Sequence, residues 1–166
     1  MRLLLFILTA CVMCLSCKKD NVKAGKNVEI YLFKTFQTVT GKCQIDGSTS
    51  LLQDTAAIKN GDILEYSQTN YQFKLTGASF QKVKTFRDFT PFAVTVDKQV
   101  IYYGFFKPGI SSSSCDNSIT MNLDWTSGNK ISLQLGYPGQ LPGVTIDDER
   151  NNQKLIMTLK SQGKLK

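Results

Sequence analysis

The stretch Phe92-Ala-Val-Thr-Val96, Asp97-Lys98, Val100-Ile-Tyr-Tyr-Gly-Phe-Phe106 limits the fold more than any other part of the chain. Its density of β-branched and aromatic residues belongs to strands, and a polar pair divides it into two runs. It reads as a β-hairpin over Pro91–Lys107. Lys98 stands where the tightest turns prefer glycine, so the register stays open. The second run is apolar on both faces, with Val100, Tyr102 and Phe106 against Ile101, Tyr103 and Phe105. A sheet holding such a strand is either covered on both sides or leaves one aromatic face to a partner.

Other segments supply the rest of a sheet. Val28–Phe36 alternates Val28, Ile30 and Leu32 with Glu29, Tyr31 and Phe33, and Tyr71–Leu75, Ile119–Trp125 and Ile131–Leu135 also alternate. Gln37–Asn60 is punctuated by Gly41 and Gly47 and reads as loop with a short helical piece. Thr76 is a suitable N-cap for a helix over residues 77–87, with Phe80, Val83 and Phe86 on one stripe. A second helix over residues 152–162 carries Leu155, Ile156 and Leu159 and ends at Gly163. The expected fold class is therefore α+β: an antiparallel sheet of about five to six strands with two helices packed on it.

The first twenty residues bear on location. Arg2, an uncharged and mainly apolar run Leu3–Leu15, Ser16 and then Cys17-Lys18-Lys19-Asp20 follow the layout of an export signal. As a helix the run reaches only about 20 Å, short of the ~30 Å hydrocarbon core. A signal ending in cysteine resembles that of bacterial lipoproteins, which implies acylation of the new amino-terminal cysteine. Cys11 would leave too short a signal and Cys14 follows the bulky Met13, whereas Cys17 falls at the step from apolar to charged. Residues 1–16 thus read as signal peptide, 17–27 as lipidated cysteine and polar tether, and 28–166 as one α+β domain. The expected location is the cell envelope, lipid-anchored through Cys17, on the outer membrane facing the periplasm or the surface.

The formal charge of +7 invites a nucleic-acid reading until it is divided. Of 20 basic and 13 acidic residues, Arg2 leaves with the signal, and Lys18, Lys19, Lys23, Lys26 and Asp20 belong to the tether. The domain keeps 15 basic and 12 acidic residues, an ordinary balance, so no nucleic-acid partner is expected. Tether lysines can instead lie against anionic lipid. With three of five cysteines in the signal, Cys43 and Cys115 are left, as one disulfide of an oxidising compartment or as two separate buried thiols. Spacing does not choose between them.

The chain has no histidine. Ser-His-Asp and Cys-His catalysis within one subunit, and histidine-ligated metals, are excluded, and no metal or cofactor is expected. In Ser111-Ser-Ser-Ser-Cys115-Asp116 the cysteine would need a lysine or helix dipole for activation and reads as structural. Asp147-Asp148-Glu149 lacks the spacing and glycine of a calcium loop and reads as an acidic helix start. Asp97, Asp116, Asp124 and Glu65 would have to converge in space for carboxylate-based glycoside hydrolysis. Tyr102, Tyr103, Phe105, Phe106, Trp125 and Tyr137 are the candidate surface for an envelope protein or glycan, weighed against their more usual place in a core.

Two resemblances add to this. Tyr71-Gln-Phe-Lys-Leu-Thr76, the helix after it, Pro91–Asp97, Val100–Gly104, Leu135–Gly139 and Gly163-Lys-Leu165 resemble a family of small bacterial envelope proteins without assigned activity. Over about 35 residues, the order strand, Leu-Thr, helix, Ala-Val-x-Val-Asp, strand is similar to the periplasmic head of the protein-export subunit SecD, although Lys98 follows Asp97 where that family has glycine. The second implies a fold and no activity. The expected function is a lipid-anchored, non-enzymatic binding or assembly domain, with a small carboxylate-dependent hydrolase of envelope polysaccharide as the alternative.

Overall fold

Alternating apolar residues at Phe73 and Leu75, at Ile119, Met121 and Leu123, and at Ile131 and Leu133 mark strands of one eight-stranded sheet. The computed structural model describes residues 26–124 and 128–166. Along the chain run β1 (Val28–Thr35), β2 (Leu51–Leu52), β3 (Ile63–Ser67), β4 (Gln72–Leu75), α1 (Gly77–Val83), β5 (Thr90–Val96), β6 (Gln99–Lys107), β7 (Cys115–Asp124), β8 (Lys130–Tyr137) and α2 (Gln153–Ser161). The strand order is β2-β1-β5-β6-β7-β8-β4-β3. Every neighbouring pair is antiparallel except β6 and β7, which run parallel.

This corrects the expected antiparallel sheet of five to six strands. The sheet is mixed and has eight strands, because β2 and β3 complete its two edges and the centre is a parallel pair. Parallel neighbours usually need a crossover of a dozen or more residues, commonly a helix. Here β6 and β7 pair only between Gly104↔Ile119 and Lys107↔Asn122. The chain therefore has residues 108–118 in which to return, and the last four of these already belong to β7. The serine-rich segment 108–114 makes the crossover without a helix.

The hairpin is present, with β5 paired to β6 from Thr90↔Phe106 to Val96↔Gln99. Asp97 and Lys98 both adopt positive φ, 51° and 63°, the geometry of a two-residue primed turn. The missing glycine is offset by outside support: Asn27 N donates to Asp97 Oδ1 at 2.8 Å, and Asp97 N donates to Asn27 O at 2.9 Å. α1 starts at the expected cap, where Thr76 Oγ1 accepts from Ser79 N, but it ends at Val83 rather than residue 87. Phe86 nonetheless packs edge-on against Phe106, ring centroids 5.7 Å apart. α2 matches its predicted span to within one residue at each end, with Asn152 as N-cap and Gly163 in the left-handed conformation.

Two unequal layers cover the sheet. Phe80 and Val83 of α1 and Leu155 and Leu159 of α2 close over Val94, Phe106, Met121 and Leu133 on one face. On the other face the 36–50 loop and the crossover cover only the middle strands, around Phe33, Ile45, Ala93, Phe105 and Cys115. The tail also shields one edge: Tyr66 N donates to Lys164 O and Lys166 N to Tyr66 O, so β3 has partners on both sides there.

Candidate functional site

The parallel pairing stops short and leaves a gap in the sheet. Gly104 is where β6 and β7 come together, and a Cβ placed on it would stand 1.8 Å from Ile119 O. Only glycine permits that approach. Towards the start of both strands the ladder ends, so Ile101–Tyr103 and Asn117–Ser118 are not register partners. A cleft of about 240 Å³ occupies this divergence, with Ile101, Tyr103, Asn117 and Ser118 in its walls and Asp147 and Glu149 contributed by the loop before α2. Gln44 also lines it, next in sequence to a cysteine that fixes the surrounding loop.

That cysteine is joined to the start of β7. Cys43 and Cys115 form a disulfide with Cα atoms 5.1 Å apart. Within the chain-entropy model such a link over a separation of 72 residues contributes about 4 kcal/mol. It also anchors the 36–50 loop onto the sheet beside the cleft.

The cleft's chemistry is acidic and hydrogen-bonding. Glu149 Oε2 accepts from Asn152 Nδ2 at 2.6 Å. Asp148 is spoken for by Arg150, whose Nε and Nη2 donate to its two carboxylate oxygens at 2.7 Å each. Those bonds outweigh partial burial and hold the Asp148 carboxyl below its usual range. Tyr102, another lining residue, is 5 % exposed, and its hydroxyl has no partner among the described residues. Burial pushes that hydroxyl's pKa well up.

A second polar cluster lies on the disulfide side of the sheet. The side chain of Lys107 is fully buried, and its Nζ sits 2.8 Å from Asp88 Oδ1 and 3.1 Å from Ser113 Oγ. The same ammonium lies 3.7 Å from the centroid of the Phe89 ring and 5.1 Å from that of Tyr137. Ser111 and Ser113 donate to Asp88 Oδ2 at 2.7 and 2.9 Å. Partial burial raises the Asp88 pKa, but the hydrogen bonds from Lys107, Ser111 and Ser113 overcome this and leave it lowered. Phe89 takes a φ of 59°, a costly conformation for a bulky residue, as it turns its ring over the cation. The cluster fastens the crossover to the sheet.

Burial divides the candidate aromatic surface. Tyr102, Phe105 and Phe106 are 5 %, 2 % and 1 % exposed and belong to the core, because the sheet is covered on both faces where β6 crosses it. Tyr103 and Tyr137 are half-buried against the second core cluster, and Trp125 lies outside the described residues. Cys17 also lies outside them, as do all of the residues read as signal and tether before Lys26.

The four acids do not converge. Asp116 and Asp124 are eight positions apart in β7, about 26 Å, and Asp124 is separated from Glu65 by three strand spacings, about 14 Å. Asp97 stands in the hairpin turn. Among the described residues no group of three or more potential ligands is placed to hold a metal ion. Sequence reading missed the cleft, since it arises from the crossover, and missed Lys107, whose only trace was Asp88 and the serine run. No family model matches this chain, and neither does any curated protein or solved structure.

Proposed function

We propose that the chain is a lipid-anchored, non-enzymatic binding domain of the bacterial envelope, attached to the outer membrane through Cys17. The observation that carries the reading is the Cys43–Cys115 disulfide, since such bonds persist in oxidising, exported compartments. It agrees with the signal-like first sixteen residues, a part of the chain independent of the fold. Binding is favoured over catalysis because Cys115 is consumed in the disulfide, Lys107 is ion-paired and histidine is absent. The cleft between β6 and β7 is the proposed binding place.

Expression in a bacterial host, followed by membrane fractionation and palmitate labelling, tests the anchor. The wild-type chain is expected in the membrane fraction with label, and Cys17→Ala in the soluble fraction without it. Label retained by the variant would overturn the assignment of Cys17. Hydrolysis of an envelope polysaccharide is the second reading, favoured by the presence of Asp147 and Glu149 in one cleft. Release of reducing ends from glycan strands by wild type, abolished in Asp147→Asn, would replace the binding reading with that one.

A further inference from the structure

Resting on the reading of the cleft as a binding site, we propose that it receives the free amino end of an extended peptide. The selection of charge comes first. The acidic side chains in its lining are Asp147 and Glu149, and neither lysine nor arginine lines it, although the chain as a whole carries +7. The cleft is thus a local negative site that attracts a cation and repels an anion. Asp147 has no side-chain hydrogen bond or ion pair among the described residues, and Glu149 has engaged only one of its oxygens, through Asn152. Both retain acceptor capacity for an ammonium group, and charge-assisted hydrogen bonds are the stronger kind.

Shape selects a peptide. The walls are two strands that have moved apart, Ile101–Tyr103 on one side and Asn117–Ser118 on the other, without a ladder between them. Main chain at the edge of a strand is the natural partner of another extended main chain, which adds to a sheet through backbone hydrogen bonds. Three residues of β6 provide about 10 Å of wall, room for two or three residues of extended chain. The slot is blind at Gly104, where the strands close to a distance that admits no Cβ. A blind slot takes the end of a chain rather than its middle, and the carboxylates favour the amino end over the carboxyl end.

The test uses the isotopically labelled full chain in detergent, with the backbone amide signals of Ile101–Tyr103, Asn117 and Ser118 followed by NMR. Three probes are titrated: trialanine with a free amino end, the same peptide acetylated at that end, and a neutral N-acetylglucosamine trisaccharide. Free trialanine is expected to shift these signals saturably, acetylation to weaken the effect by about tenfold or more, and the saccharide to leave them unmoved. Asp147→Asn with Glu149→Gln should weaken free trialanine by a similar factor while the remaining signals keep their folded dispersion. Equal binding of the acetylated peptide, or unaltered binding by the double variant, would overturn the amino-end assignment. Shifts produced by the saccharide alone would overturn the peptide proposal and leave the cleft as a binding site. If none of the three moves these signals, both the proposal and the cleft's role in binding fall, whereas the anchor is judged separately by fractionation.

Discussion

Lys107 is a charge at a place where lysine is rarely found, fully buried on the disulfide side of the sheet. The two members of its ion pair are unequal, with side-chain exposures of 0 % for Lys107 and 31 % for Asp88. Removing the carboxylate strands a buried cation, so Asp88→Asn should lower the unfolding free energy by about 3–5 kcal/mol. Lys107→Met leaves behind a carboxylate that water can still reach and should cost about 1 kcal/mol or less. The double variant should recover most of the loss caused by Asp88→Asn, because an apolar side chain suits the space between Phe89 and Tyr137. Urea midpoints for the four proteins test this order, and equal losses in the two single variants would contradict it. The pH dependence has a definite sign. The carboxyl of Asp88 titrates lower in the folded chain than its unfolded value of about 3.9, so the pair's contribution is complete above that pH and disappears as pH falls through the folded value. Asp88→Asn should remove this part of the acid dependence.

At the scale of elements, the meeting of β6 and β7 depends on Gly104. A methyl group there would lie 1.8 Å from the Ile119 carbonyl oxygen, so Gly104→Ala has to force the parallel pair apart. We expect a loss of more than about 3 kcal/mol, in the range of severe overpacking, or failure to fold. Thermal unfolding checks it, and a midpoint within a few degrees of wild type would refute the close approach. Gly136, by contrast, is constrained locally by Gly139 O at 2.7 Å rather than across the parallel ladder. Much of the element inventory was legible in sequence, because alternation declares a strand wherever one face is buried. The hairpin, the Thr76 cap and Gly163 all follow from local chemistry. Local patterns do not encode which strand lies beside which. Residues 108–114 look like any serine-rich loop, yet their return across one face makes the central pair parallel and so creates the cleft. Edge strands were equally hard to read: β2 has two residues, and the burial of Tyr66 in β3 depends on packing from α2's side and on the tail at Lys164–Lys166. The aromatic residues of β6 were visible but misleading, since a strand apolar on both faces signals two covers as readily as one open face.

For the whole molecule, the proposed anchor and the proposed binding site occupy the same end of the sheet. The chain enters β1 through Asn27, which is bonded to Asp97 in the turn immediately before β6, and the cleft opens beside the first residues of β6. Ten residues from Cys17 to Lys26 reach at most about 35 Å when extended, so an acylated Cys17 would keep the cleft close to the bilayer surface. That arrangement would suit a domain that captures peptide ends close to a membrane. The proposed covalent anchor is tested by mass spectrometry of the amino-terminal peptide from the chain isolated from bacterial membranes. A peptide that begins at Cys17 and carries the mass of attached acyl chains is expected. A peptide beginning at Met1, or an unmodified cysteine at the amino end, would contradict it.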